Sequence, residues 1–223
     1  MSNLFFLGGP HGCGKTTLSK ILEKEIPNLI VPELKTRTPK FYSEIPNKEV
    51  DFLHRQALKH AQRAIENYEY REIARNNHNK IILGNRGIYD IVAYGEAYFS
   101  LGWVSEEEKK ILDNWFYFLI GYNLMSETTI ILNPGFEVCK RHLETRWKTE
   151  RKKFMEDNMD YLMAVCNAYG LYKNNESILY IDHEIDLNDK KEIYDISEWI
   201  EKLCKIERGL KITDLAVDVA VNV

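Results

Sequence analysis

The sequence predicts an α/β fold of three layers, in which a parallel sheet of five strands is flanked by helices on both faces. Five short apolar runs have the length of buried strands, and the segments between them have the apolar spacing of helices. The predicted strands are residues 4–7, 29–31, 80–83, 128–132 and 178–181. Regular alternation of strands and helices is typical of a parallel sheet that is buried on both faces.

Size and composition fit one domain. The chain has 223 residues and a mass of 26.2 kDa, and its 44% of hydrophobic residues suffice for a sizeable core. We find no internal repeat, low-complexity tract or linker, so residues 1–223 are predicted to form a single domain. Residues from about 206 to 223 are predicted to be a C-terminal extension, either an added edge strand or a disordered end.

The charge and the cysteines limit the classes of partner and compartment. A formal net charge of -4 and a pI near 5.9 give no general attraction to nucleic acid or to an anionic membrane. The four cysteines are scattered without a C-x-x-C pair, so neither a zinc site nor a disulfide scaffold is indicated, and we expect a reducing cytoplasm. The apolar run at residues 4–7 is too short for a membrane span, and we interpret it as a strand and not a signal peptide.

A phosphate-binding motif follows the first predicted strand. Residues 9–16 read G-P-H-G-C-G-K-T, which fits the P-loop pattern G-x-x-x-x-G-K-T between a strand and an amphipathic helix. Glycines allow the backbone N–H groups to point at phosphate oxygens, the lysine reaches the β- and γ-phosphates, and the hydroxyl of Thr16 ligates Mg²⁺. The motif therefore predicts a P-loop NTPase fold that binds ATP and Mg²⁺. The predicted nucleotide contacts are Gly9, Gly12, Cys13, Gly14, Lys15, Thr16 and Thr17.

An arginine follows the third predicted strand. Arg86 comes at the carboxyl end of that strand, and ligands of open α/β sheets bind at this edge. A guanidinium there can hold a phosphate through two parallel hydrogen bonds. The alternative is a surface arginine in a local salt bridge.

A strongly basic segment follows the fourth predicted strand. Between residues 140 and 153 there are seven lysines and arginines and only two glutamates, although the whole chain is acidic. A solvated helix face would explain such a run. Phosphoryl transfer also calls for a mobile cationic segment over the migrating group, so we interpret residues from about 139 to 156 as an arginine-bearing lid.

Two polar residues follow the second predicted strand. Glu33 is a candidate to accept a hydroxyl proton or to hold a Mg²⁺-bound water, and Arg37 is a candidate to hold an acceptor phosphate. The alternative for Glu33 is a helix cap or a salt bridge.

Two other segments have apolar patterns that suggest further roles. Between the second and third strands, a stripe of apolar and aromatic residues lies on one face of a predicted helix, and Phe52 and Gln56 lie on another. The stripe consists of Leu58, Ala61, Ile65 and Tyr68. The aromatic segment at residues 109–125 fits either core packing, which we favour, or the contact of a homodimer.

With these motifs, the chain resembles the thymidylate kinase and deoxynucleoside kinase branch of the P-loop nucleotide kinases over most of residues 3–185. The resemblance is carried by residues 9–17, by Asn85-Arg86 with Asp90 and Tyr94 after it, and by residues 141–169. It implies that Arg86 clamps the acceptor and the transferring phosphate. It also implies a stacking role for Phe52, a base-reading role for Gln56, and a place near the sugar for Tyr94.

The resemblance also implies roles for the lid arginines. We assign Arg141 to the nucleotide, Arg146 to catalysis with Lys15, Arg86 and Glu33, and Arg151 to the acceptor. One departure is Asn85, because the family has an acidic residue immediately before the arginine. A neutral amide accepts a hydrogen bond but supplies no negative charge and no base.

The resemblance implies transfer of the γ-phosphate of ATP, with Mg²⁺, to a small-molecule acceptor. A nucleoside monophosphate, and thymidylate in particular, is the first expectation. A deoxynucleoside or nicotinamide-riboside-type kinase is the alternative. An ATP-binding regulator with weak catalysis, suggested by Asn85, is the alternative from another class.

Overall fold

A computed structural model describes residues 3–34, 52–120, 128–152, 155–186 and 189–207. The strands are β1 (Leu4–Gly8), β2 (Leu29–Ile30), β3 (Ile81–Asn85), β4 (Thr128–Leu132) and β5 (Ile178–Ile181). The helices of these residues are α1 (Lys15–Glu25), α2 (Phe52–Asn76), α3 (Ile88–Ser100), α4 (Glu106–Ile120), α5 (Phe136–Arg146), α6 (Met159–Gly170) and α7 (Lys190–Glu207). The extension beyond residue 207 lies outside the described residues.

The five strands form one parallel sheet in the order β2-β3-β1-β4-β5. Strand side chains point alternately to the two faces. Phe5 and Leu7 of β1 therefore pack in the core beneath α1, α5 and α7, whereas Leu4 and Phe6 face the layer to which α2 belongs. The three-layer fold with a five-stranded parallel sheet is confirmed.

The central position of β1 determines where a ligand can bind. Its carboxyl end lies between those of β3 and β4, so the loops after these strands meet at one edge of the sheet. This is the edge at which open α/β sheets bind their ligands. Strand β3 runs from Ile81 to Asn85, slightly later than the predicted 80–83, and so ends directly before Arg86.

Helix α2 has an unusual distribution of polarity. Its inward face is largely polar, with Arg55, Gln56, His60, Glu66 and Asn67 buried. Its predicted apolar stripe faces outward instead: three of the four stripe residues, Leu58, Ile65 and Tyr68, are exposed. An ordinary surface helix buries its apolar face and exposes its polar face, and α2 does the opposite.

The aromatic segment on α4 is only partly core. Leu112 and Phe116 are buried, but Ile111 and Phe118 are exposed, the latter by 80%. For residues 109–118 the preference for core packing is thus correct for one side of the helix and wrong for the other, while residues 121–125 of the segment lie outside the described residues. Because α4 packs against α2, the exposed apolar residues of both helices lie on neighbouring elements.

Candidate active site

The P-loop connects β1 to α1 through glycines that no other residue replaces easily. Gly9 has φ 139° and Gly12 has φ 77°. A Cβ atom would lie 2.2 Å from the carbonyl oxygen of Leu132 at the first position and 2.5 Å from that of Cys139 at the second. The loop is therefore packed directly against β4 and α5, which leaves its backbone in a fixed curve.

Lys15 lies inside this curve at the start of α1. Its Nζ donates to the carbonyl oxygens of Gly9 at 2.8 Å and Pro10 at 2.7 Å, and contacts the Sγ of Cys13 at 3.3 Å. Burial lowers the pKa of Lys15, and the nearby Cys13 and Asp90 oppose that shift. The ammonium is thus held where the loop would surround a phosphate.

Arg86 follows β3 in a left-handed conformation, with φ 68°. A non-glycine residue in this region is strained, and such strain is concentrated at functional sites. Its Nη1 donates to Asp90 Oδ1 and to Tyr94 Oη, both at 3.0 Å. Asp90 is itself fixed by the hydroxyl of Tyr169 at 2.5 Å and by the backbone N–H of Gly87.

This network holds the guanidinium of Arg86 charged and in one orientation. Burial alone would lower its pKa, but Tyr94, Asp90 and Tyr169 raise the pKa above its usual value. The adjacent Asn85 is exposed, and both residues line a cleft of about 950 Å³ that also contains the P-loop. Arg86 and Lys15 therefore line the same cleft from the segments that follow β3 and β1.

Helix α5 and the segment after β5 form the opposite wall of this cleft. Arg141 donates to Glu184 Oε2 at 2.5 Å, and the Nδ1 and Nε2 of His142 lie 2.8 Å from the carbonyl oxygen of Gly12 and from Glu184 Oε1. Arg141 and His142 lower the pKa of Glu184. The pair of Arg141 and Glu184 is about half exposed, so solvent weakens it and a nucleotide can replace it.

The predicted arginine-bearing lid, residues from about 139 to 156, starts within α5. Cys139, its predicted first residue, lies completely buried in the middle of α5, because helical packing continues from Phe136. Arg146 is on the last turn and pairs with Glu156, a carboxylate that is 1% exposed. Arg151 lies exposed in the following segment.

The predicted acceptor residues lie around an aromatic cluster between α2, α3 and α6. The ring of Phe52 stacks on Trp103, with centroids 4.2 Å apart, and Trp103 stacks on Tyr161 at 5.5 Å. Gln56 is buried and its Nε2 lies 3.4 Å from the carbonyl oxygen of Ile91. The structure thus brings Phe52 and Gln56 to one helix end.

The other predicted acceptor residues have less defined surroundings. Tyr94 is the best defined of them: its hydroxyl accepts a hydrogen bond from Arg86, and its ring lies next to Tyr161 of the aromatic cluster. Glu33 is exposed after β2 and is not among the described residues that line the cleft. Arg37 lies outside the described residues, and its role stays a prediction.

Three cations on the inward side of α2 surround Arg86 with further positive charge. Arg55, Lys59 and Arg63 follow each other at intervals of four residues, and Arg63 donates to the carbonyl oxygen of Asn85 at 3.2 Å. Burial, and then Arg63, Arg86 and Arg55, lower the pKa of Lys59 to about 8. We call Arg55, Lys59 and Arg63 the cationic row.

The residues present fit a Mg²⁺ ion that is held mainly by the phosphates of a bound nucleotide. Within the described segments, no group of three histidine, cysteine or acidic residues has the arrangement of a metal site. The hydroxyl of Thr16 lies at the start of α1 on the cleft wall. One protein hydroxyl suits Mg²⁺, because phosphate oxygens and water usually complete its octahedral coordination.

Sequence reasoning missed several residues of the site. His11, Glu156 and Glu184 line the cleft, and Trp103 belongs to the aromatic cluster. Glu156, Glu184 and Trp103 are brought there by contacts between residues distant in sequence. One signal was available for His11, which occupies a variable position inside the P-loop.

The fold and this site define a P-loop nucleotide-binding protein. A family described as AAA domain matches residues 4–157. Because the match covers more than half of the chain, the protein belongs to this family. None of the curated protein sequences matches the chain. Among the described residues, no helix is long and apolar enough to cross a membrane.

Solved structures of deoxyadenosine kinase from M. mycoides share the fold. The structure with the products dCMP and a flexible dCDP matches with a TM-score of 0.62 and 18% identity. The structures with dATP and with dCTP match with TM-scores of 0.63 and 0.56 and identities of 14% and 16%. Each alignment covers 89% of this chain and 99% of the other. At these identities the likeness establishes the fold, which is the P-loop fold that the resemblance implied.

Proposed function

We propose that this protein transfers the γ-phosphate of ATP to the hydroxyl of a deoxynucleoside. The observation that carries the proposal is Arg86, held beside the P-loop by Asp90 and Tyr94 and facing the same cleft as Lys15. Phosphoryl transfer depends mainly on positioning and on positive charge around the migrating group. The bound ligands of the M. mycoides kinase structures, dCMP, dCDP, dATP and dCTP, support a deoxynucleoside or its phosphate as the ligand class.

The chain's own residues divide the work between donor and acceptor. The P-loop backbone and Lys15 would hold the β- and γ-phosphates, and Arg141 would border the donor nucleotide. Arg86 and Arg146 would contact the phosphoryl group as its charge spreads over the equatorial oxygens. Mg²⁺ held with Thr16 would neutralise charge on the β- and γ-oxygens. The aromatic cluster with Gln56 would position the acceptor base and exclude water.

A nucleoside monophosphate, with thymidylate as the first expectation, is the second candidate acceptor. The cationic row favours it, because its three cations together with Arg86 would attract a phosphate that the acceptor already carries. A third reading, from another class, is an ATP-binding regulator with weak catalysis, and it rests on Asn85.

An acceptor panel distinguishes these proposals. We would measure ADP release with ATP, Mg²⁺ and each of the deoxynucleosides and their monophosphates in turn. The proposal predicts the highest kcat/KM on a deoxynucleoside. A clear preference for a monophosphate would select the second candidate, and tight ATP binding without turnover on any acceptor would select the regulator.

Four free thiols, all buried, support our further proposal that the protein works in the reducing cytoplasm.

Gln56 is expected to determine which base is accepted. Replacement by leucine removes the buried amide, so the ratio of kcat/KM between purine and pyrimidine acceptors should change by at least about tenfold. The dissociation constant for ATP should stay within about twofold of the wild-type value, since Gln56 does not line the donor cleft. Gln62→Leu, on the same helix but paired with Glu66, is the control. An unchanged acceptor ratio with weakened ATP binding would show that the pocket is misplaced.

We also propose a homodimer through the exposed apolar residues of α2 and α4. These residues are Leu58, Ile65, Tyr68, Ile111, Trp115 and Phe118. An apolar surface made by two adjacent helices is typical of a protein interface. Light scattering should give twice the chain mass of 26.2 kDa.

The double substitution Ile65→Glu and Phe118→Glu should reduce the measured mass to that of one chain. Tyr194→Glu, at an equally exposed aromatic residue on α7, should leave the dimer intact. A monomeric wild-type protein at micromolar concentration would contradict the dimer.

A further inference from the structure

His11 occupies the junction between the donor cleft and the acceptor cluster. It lies within the P-loop, two residues after Gly9, and its side chain is 23% exposed on the cleft wall. The ring centroid is 5.5 Å from that of Tyr94 and 6.4 Å from that of Tyr161. An imidazole at this point therefore borders both the phosphate cradle and the residues that surround the predicted sugar site.

The ring is oriented by a buried carboxylate. The Nδ1 atom of His11 faces Glu156 Oε1 at 3.6 Å, and Glu156 is 1% exposed. Glu156 is in turn fixed by Arg146 and by the indole N–H of Trp147, which lies 3.4 Å from Oε2. Because Nδ1 faces Glu156, the ring presents its other nitrogen, Nε2, away from that carboxylate.

The proposed reaction needs a group that removes the hydroxyl proton. Asn85 is a neutral amide, and Glu33 is exposed and is not among the described residues that line the cleft. Asp90 lines the interior, but its oxygens already accept from Arg86, Tyr169 and Gly87. Among the described residues at this junction, His11 is the basic side chain whose second nitrogen is still available to a substrate.

We propose that His11 is the catalytic base for a hydroxyl acceptor and that Glu156 is its positioning residue. The proposal rests on the proposed function. In the reaction, a bond forms between the acceptor oxygen and the γ-phosphorus as the bond to the β,γ-bridging oxygen breaks. The hydroxyl proton passes to His11 Nε2 and then to water, and ADP leaves with the electron pair of the broken bond.

The electrostatic surroundings keep His11 in the form that accepts a proton. Burial lowers its pKa well below the usual 6.5, and Arg86, Lys15, Arg146 and Lys59 lower it further. The carboxylate of Glu156 faces Nδ1 of the ring, and the phenols of Tyr94 and Tyr161, whose pKa values burial raises, complete the surroundings. The imidazole is thus neutral at physiological pH, and its activity as a base is lost only as the pH falls through the lowered pKa.

The test compares wild type with His11→Gln on the best deoxynucleoside acceptor. We expect kcat to fall at least about a hundredfold, as loss of a general base does. The dissociation constant of a non-hydrolysable ATP analogue should stay within about threefold, because the P-loop backbone and Lys15 remain. His78→Gln, at an exposed histidine before β3, should retain full activity. A second variant, His11→Asn, should behave as His11→Gln does.

The pH profile separates a base from a packing residue. Wild-type kcat should decline only below pH 6.5, and this acidic limb should be missing from the residual activity of His11→Gln. Glu156→Gln should lower kcat by about tenfold or more, and it should add little to the loss in His11→Gln, because the two act as a unit.

Distinct outcomes overturn the proposal. A His11→Gln enzyme with kcat within about threefold of wild type removes the base assignment while the kinase function stands. Strictly additive losses in the double variant remove the role of Glu156. A wild-type protein that phosphorylates only monophosphates, or no acceptor at all, removes the base assignment together with the deoxynucleoside proposal.

Discussion

Replacement of Lys15 by alanine is expected to abolish phosphoryl transfer, with kcat reduced by at least about 10³-fold. The ammonium lies within 2.8 Å of two P-loop carbonyl oxygens, inside the curve that surrounds the phosphates. Steady-state rates at saturating ATP and acceptor are the measurement.

The control for Lys15 is Lys20→Ala. Lys20 lies on the same helix α1 but is exposed to solvent away from its buried face, so this variant should retain the wild-type rate. Circular dichroism should show the same helix content in both variants. A Lys15→Ala enzyme with a rate close to that of Lys20→Ala would exclude the P-loop as the donor site.

Replacement of Arg86 by alanine is expected to lower kcat by at least about a hundredfold. The guanidinium is oriented by Asp90 and Tyr94, so it needs little reorganisation when charge develops on the phosphoryl group. Arg86→Lys should recover only part of the rate, since an ammonium lacks the two parallel donors of the guanidinium.

The loss in Arg86→Ala should appear in kcat and not in the affinity for ATP. Arg75→Ala, which removes an exposed arginine from the end of α2, should have no effect on either quantity. Near-normal kcat in Arg86→Ala would remove Arg86 from the transfer step. Weakened ATP binding with unchanged kcat would assign it to the donor instead.

Features encoded in contiguous residues could be predicted from the sequence. The P-loop is one run of eight residues, and each strand is a short apolar run, so both were recognisable without knowledge of their neighbours. Arg86 was predicted for a similar reason, because its position directly after a strand places it at the ligand-binding edge of a parallel sheet.

Contacts between distant residues could not be predicted in this way. His11 and Glu156 are 145 residues apart in sequence, and only the folded chain brings the carboxylate, which lies just before α6, to the P-loop. The stacking of Phe52 on Trp103 is likewise a tertiary contact between α2 and the turn after α3. For α2, the sequence predicted two faces but not which one is buried, since buried polar residues are rarer than apolar ones.

The central claim is that this cleft moves the γ-phosphate of ATP to a small acceptor. The most direct measurement incubates the protein with Mg²⁺, a deoxynucleoside panel and ATP that carries ¹⁸O in its γ-phosphate, and analyses the products by mass spectrometry. We predict a deoxynucleoside monophosphate that contains the labelled phosphoryl oxygens, together with an equal amount of ADP. A parallel incubation contains the deoxynucleoside monophosphates instead. Label recovered only in inorganic phosphate or in unreacted ATP in both incubations would contradict the account.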